Sequence, residues 1–146
     1  MKTLHRLCAT FALLVTAPMA WADCGKTPGP CEIDSGTYHI TLPDGPPKGA
    51  IMFLHGYGGN GAASIGQNGW AGRALARGYA VIGPDGDPME GRAGRSWSFH
   101  PLGPQVRDET AFLTAVRDDA AARFGLVADS MVLAGFSIGG SMTHYL

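Results

Sequence analysis

The sequence predicts an α/β fold, a mostly parallel sheet flanked by helices. Two observations carry this. Three apolar runs, "GAIMFLH" (49–55), "YAVIGPDG" (79–86) and "SMVLAG" (130–135), have no polar alternation and each ends in a glycine-rich turn, as strands buried on both faces do. Helical patterns stand between and after them, giving the order strand, strand–helix–strand–helix–strand–helix.

Each element can be justified in turn. "TYHITL" (37–42) alternates, placing Tyr38, Ile40 and Leu42 on one face of a half-exposed strand and His39 on the other, toward solvent. Pro43-Asp44-Gly45-Pro46-Pro47 is a turn before the first buried run. A helix over Trp70 to Arg77 is closed by Gly78. Residues 86–103 read as irregular and contain the aromatic patch "SWSFHP". From Pro104 to Phe124, Val106, Leu113, Val116, Ala120 and Phe124 fall near one face of a long helix, with Gly125 at its C-cap. Asp108 and Glu109 sit in its first turns, where negative charge is favoured. No internal repeat is visible.

Residues 1–22 stand apart. Lys2, His5 and Arg6 precede a short apolar run from Leu7 to Val15, then Pro18 and Ala20-Trp21-Ala22, the pattern of a signal peptide cleaved after Ala22. The run is too short for a membrane anchor, and Asp23 before Cys24 is wrong for a lipoprotein site. The expectation is a secreted or periplasmic protein without stable membrane insertion, its domain covering 23–146. Loss of Lys2 and Arg6 takes the formal charge from −1 to about −3. With no basic tract, nucleic acid is not an expected partner. Export permits disulfides, and Cys24 and Cys31 in "CGKTPGPC" are read as a bridge that ties down the mature N-terminus, the alternatives being free thiols or partners outside this chain.

The chemistry centres on "GFSIGG". A serine hydroxyl needs a base and a place for the oxyanion that forms. On a tight turn between "MVLA" and a helix, Ser137 is pushed into the open, and small residues at −2 and +2, Gly135 and Gly139, admit the closely packed chain. The N–H of Ile138 then faces the oxyanion beside a helix N-terminus. The plain alternative is a glycine-rich turn with an idle serine.

A second motif competes. Gly56, Gly58 and Gly61 in "HGYGGNG" fit G-x-G-x-x-G after a strand, and Asp85 follows the next strand where a ribose-binding acid would stand. Against this dinucleotide reading, the helix is expected to begin well after the glycines, and the elbow would be unexplained. Asp85 reads better as shaping a turn. No His/Cys/Asp/Glu set has metal spacing, and no cofactor is implied.

Other residues are weaker candidates. His55 reads as structural, orienting its loop by hydrogen bonds, rather than as the base. Trp97, Phe99 and His100 either line an acyl or aromatic pocket or pack beneath the loop. His144 follows Ser137 by seven helical residues, about 10 Å along the axis, too far for a hydrogen bond.

Taken together, "FLHGYGGN", "GYAVIGPDG", "RDETAFL" and "VLAGFSIGGSMTHYL" resemble the secreted polyhydroxybutyrate depolymerase and feruloyl-esterase-like branch of the α/β-hydrolases, over about residues 24 to 146. The resemblance implies the α/β-hydrolase fold, truncated after the nucleophile elbow, so that 23–146 is the N-terminal part of a catalytic domain. It implies Ser137 as nucleophile, Ile138 and Tyr57 as oxyanion donors with Gly58 in reserve, and hydrolysis of polyester, oligomer or aromatic esters. Many members carry Asn or Ala where this chain has Ile138. In the α/β-hydrolase order an acid and a histidine follow the nucleophile, so both are expected beyond Leu146, and negligible turnover is expected without them. A peptidase or thioesterase of the same fold, and a non-catalytic binding module, are the other readings. Oligomeric state is not encoded in any visible pattern.

Overall fold

The computed structural model describes residues 23–66, 69–99 and 105–146. The expected signal peptide, His100 and Pro104 lie outside the described residues.

One sheet organises the chain. Strands β1 (Cys31–Ile33) and β2 (Gly36–Thr41) pair antiparallel. β2 pairs antiparallel with β4 (Tyr79–Pro84), which runs parallel to β3 (Gly49–Leu54). β3 in turn runs parallel to β7 (Met131–Gly135), giving the order β1-β2-β4-β3-β7. Each parallel step needs a crossover, and the helices supply it.

Side-chain alternation divides the core between the two faces. On one, Tyr38, Ile40, Met52, Leu54, Ala80 and Ile82 pack against Phe112, Leu113, Val116 and Ala120 of helix α3 (Glu109–Phe124) and Met142 of α4 (Ile138–Tyr145). On the other, Val81, Ile51 and Phe53 meet Ile65, Ala71, Ala74 and Trp70 around α1 (Gly61–Ser64) and α2 (Trp70–Ala76), with the Phe53 and Trp70 rings 4.7 Å apart. The buried runs of β3 and β4 are thus apolar at every position because both faces are covered.

The N-terminal segment is tied to the sheet twice. A disulfide joins Cys24 and Cys31, whose Cα atoms are 4.8 Å apart. Backbone bonds run from Ile40 N–H to the Asp23 carbonyl and from Gly25 N–H to the Ile40 carbonyl.

Four expectations change. Helix α3 begins at Glu109, not Pro104. Asp108 is the N-cap, accepting the Ala111 N–H at 2.9 Å, so Val106 lies before the helix and is exposed. Residues 86–103 include a small hairpin, β5 (Asp87–Pro88) with β6 (Arg95–Ser96), too short to show a period. The third apolar run is not buried on both sides: among the described residues β7 has a neighbour only on its β3 side, and Val132 is 61% exposed. Finally, His39 is not solvated, because its face of β2 meets the end of β4, where Nε2 lies 3.4 Å from Asp85 Oδ2.

Candidate active site

Ser137 stands on the turn between β7 and α4 with φ 54° and ψ −122°. It is the one non-glycine residue with positive φ among the described residues. An L-residue holds such a conformation only when its surroundings over-determine it, at a cost of about 1–3 kcal/mol. Here they do. Phe136 N–H donates to the Leu54 carbonyl, Gly139 N–H to the Phe136 carbonyl and Ser141 N–H to the Ser137 carbonyl, each at 3.0 Å. A Cβ on Gly135 would overlap the backbone of Gly139, and one on Gly139 would overlap the Leu54 carbonyl oxygen. Both small residues are therefore required by backbone contact. The Ser137 side chain is exposed and makes no capping bond.

The glycine loop after β3 runs beside this elbow, a Cβ on Gly56 coming to 3.0 Å from the Phe136 ring. Gly59 N–H bonds the Gly56 carbonyl at 3.0 Å and Gly58 has φ 75°, the features of a type II turn with Tyr57 and Gly58 at its centre. Gly58 N–H is engaged by the Arg95 carbonyl at 3.0 Å, which removes Gly58 as a reserve oxyanion donor. The N–H groups of Tyr57 and Ile138 meet no acceptor among the described residues.

His55 is buried at the root of the loop. The Gly86 N–H can only donate, so His55 Nε2 accepts at 3.0 Å. The ring proton is then on Nδ1, which donates to the Gly56 carbonyl at 2.8 Å. Burial holds the His55 pKa below its ordinary 6.5, against the raising influence of the Gly56 carbonyl and Asp85. Both nitrogens are committed, so this is a neutral structural imidazole and not a base. Its contribution to stability is complete above the unfolded pKa and is lost as pH falls toward the lower folded one. The Tm will therefore fall as pH drops below the ordinary 6.5 of histidine, and a His55→Gln variant, less stable at neutral pH, will show a shallower fall. Equal slopes in the two proteins would place the acid sensitivity elsewhere.

Beneath the loop lies a set of charges that ties its supports together. Asp85 accepts the Gly61 N–H at 2.8 Å and the Thr37 hydroxyl at 2.9 Å. Burial raises its pKa, but the hydrogen bonds from His39, Gly61 and Thr37 outweigh that and bring it from 3.8 to about 2. Arg107 bonds Glu109 at 2.8 Å, the Asp85 carbonyl at 3.2 Å and the Ser35 carbonyl at 3.2 Å, with its guanidinium 3.6 Å from the Phe112 ring centre. Buried Glu109 also accepts the Ser98 N–H at 2.8 Å.

No family model matches the sequence, and no curated protein matches it. Solved structures do. An acetyl xylan esterase from Aspergillus awamori superposes with a TM-score of 0.59 at 18% identity, over 75% of this chain and 40% of its own. A carboxylesterase from Mesorhizobium loti gives 0.58 at 21%, over 80% of this chain and 57% of its own. The esterase PE8 gives 0.54 at 26%, over 73% and 54%. The fold is that of the α/β-hydrolases. The chain spans 40% to 57% of the length of these three proteins.

Within the α/β-hydrolase fold the candidate residues separate into groups. Ser137, Ile138 and Tyr57 lie on two adjoining turns, after β7 and β3. Trp97 belongs beneath the loop: it is buried, donates its indole N–H to the His55 carbonyl at 2.9 Å, and forms only part of the wall of an open cavity of about 370 Å³ beside Tyr57. Phe99 is half-buried against Tyr145, ring centres 5.6 Å apart. His144 is exposed near the far end of α4. The dinucleotide reading loses its acid, since Asp85 is buried and bonded inward. One of its counter-arguments also fails: a helix does open at the third glycine, but α1 is only 4 residues long. Sequence reasoning did not find Arg95, Arg107 or the backbone contact of Gly61 with Gly83. Asn60 and Asp108, each three before an N–H that its side chain accepts, carried local capping signals.

Proposed function

We propose that this chain carries the nucleophile half of a secreted serine hydrolase of carboxylic esters. The observation that carries this reading is the strained Ser137 on a strand-to-helix turn, wedged by Gly135 and Gly139 beside a second turn with an open N–H. Ser137 Oγ attacks the ester carbonyl carbon and passes its proton to a general base. The developing oxyanion is held by the Ile138 and Tyr57 N–H groups. The carbon–oxygen bond to the alcohol breaks, the alcohol leaves with that proton, and an acyl ester remains on Ser137. Water, deprotonated by the same base, then frees the carboxylic acid.

The described residues contain no histidine suited to the base role, because His39 is engaged by Asp85, His55 is committed and His144 lies too far along α4. In the α/β-hydrolase order the acid and the histidine come after the nucleophile, and the same order is proposed here. The substrates proposed are polyhydroxybutyrate-type polyesters or their oligomers, or feruloyl and other aromatic esters. The Cys24–Cys31 bridge and the N-terminal pattern support export. The test uses protein purified from its natural host: a fluorophosphonate should label Ser137, located by peptide mass, and ester should be cleaved in preference to amide or thioester. Binding of ester without labelling or turnover would leave a binding module.

A further inference from the structure

We infer that the β5–β6 hairpin is the clamp that aims the oxyanion loop, with Arg95 as its positioning residue. This rests on the ester-hydrolase reading and adds to it a residue that does not touch substrate.

Three contacts join hairpin and loop. Gly58 N–H donates to the Arg95 carbonyl at 3.0 Å, and Arg95 N–H donates to the Gly59 carbonyl at 3.2 Å, so both backbone polar groups of one hairpin residue are spent on the loop. Arg92, at the hairpin tip, donates from Nη1 to the Tyr57 hydroxyl at 3.2 Å. The backbones meet so closely that a Cβ on Gly94, already at φ 92°, would overlap the Gly58 carbonyl. Tyr57 is thus held by its following peptide and by its ring, both from the same hairpin.

The hairpin is itself fixed by the Arg95 side chain. Nη1 donates to the Gly86 carbonyl at 3.0 Å, and Nε lies 3.8 Å from Asp85 Oδ1. Gly86 is the residue whose N–H bonds His55, and Asp85 is the residue that accepts the N–H of Gly61 at the start of α1. Arg95 therefore links the loop to the ends of β3 and β4 and to α1.

The clamp matters because a type II turn with glycine at its third position can rotate its central peptide at little steric cost. The bond from Gly58 N–H to Arg95 opposes that rotation. It spends the Gly58 donor on the hairpin and keeps the neighbouring Tyr57 N–H free. A misaimed oxyanion donor lowers the chemical step rather than substrate binding, and loss of a whole donor costs on the order of 10²–10³-fold.

The test uses protein purified from its natural host and the same protein carrying Arg95→Ala or Arg95→Lys, with a short nitrophenyl ester as probe. Arg95→Ala should lower kcat at least about 10-fold with KM changed less than about twofold, and Arg95→Lys should recover part of the loss. In parallel, hydrogen exchange at the Gly58 amide should be slow in the unsubstituted protein and faster in Arg95→Ala. Unchanged kcat, or a KM effect as large as the kcat effect, would overturn the proposal. So would unchanged Gly58 exchange, whether or not ester is cleaved. If Arg95→Ala does not fold, Arg95→Lys and its Gly58 exchange decide. Absence of hydrolysis in the unsubstituted protein would instead remove the ester-hydrolase reading, and the clamp would be judged on the Gly58 amide alone.

Discussion

Replacing Ser137 with glycine will give a protein that is more stable and inactive. The serine sits at φ 54°, ψ −122°, where a side chain costs about 1–3 kcal/mol. Glycine removes that cost and adds back about 0.5–1 kcal/mol of chain entropy, so a net gain of about 1 kcal/mol is expected. The kcat/KM for ester will fall at least about 10⁴-fold, since no other group replaces the nucleophile. Ser137→Ala separates the two effects. It loses the same activity but keeps a Cβ at the same backbone angles, so its stability will stay within about 0.5 kcal/mol of the unsubstituted protein. Urea midpoints and ester hydrolysis measured on all three proteins check this. A glycine variant no more stable than the alanine one would mean that no strain is stored at the elbow. Retention of more than about a hundredth of kcat/KM in Ser137→Ala would show that another group attacks.

Gly61→Ala will destabilise the protein by about 3 kcal/mol, near the upper end of what overpacking costs. Helix propensity alone predicts the opposite, because alanine is favoured over glycine inside a helix by about 1 kcal/mol. Contact decides. A Cβ on Gly61 would overlap the Gly83 carbonyl oxygen and lie 2.7 Å from the Gly83 carbonyl carbon, while one on Gly83 would overlap the Gly61 carbonyl in return. Neither partner is a side chain that could rotate away. Separation of α1 from β4 would also stretch the bond from Gly61 N–H to Asp85. Gly66→Ala is the matched control: among the described residues its added carbon meets only the Ala63 carbonyl at 3.6 Å, an ordinary contact, and the change expected is within about 0.5 kcal/mol. A urea midpoint for Gly61→Ala equal to that of the control would refute the close-contact argument.

The parallel strands and the elbow were legible because their signals are local. Apolar residues at every position of β3 and β4 follow from two covered faces, and Gly135 and Gly139 flank their serine directly. What escaped was set by chain segments far apart in sequence. Gly61 and Gly83 show their need for each other only when α1 lies on β4. Nothing local to Arg107 says that it reaches Ser35 and Asp85. Arg95 reaches the glycine loop through its backbone and Gly86 and Asp85 through its side chain, from a two-residue strand that leaves no periodic trace. The start of α3 was misplaced for a different reason: Val106 falls at helical spacing, and apolar periodicity outweighed the capping aspartate two residues later. His39 was misread because alternation assigns a face of the strand without saying what the end of the next strand brings to it.

The indole of Trp97 lies with its ring centre 4.9 Å from that of His55, and its N–H is bonded to the same residue's carbonyl. A charged imidazole quenches indole emission more strongly than a neutral one. Trp97 is thus a built-in fluorophore for the root of the glycine loop, and its brightness should record the protonation of His55 without any added label.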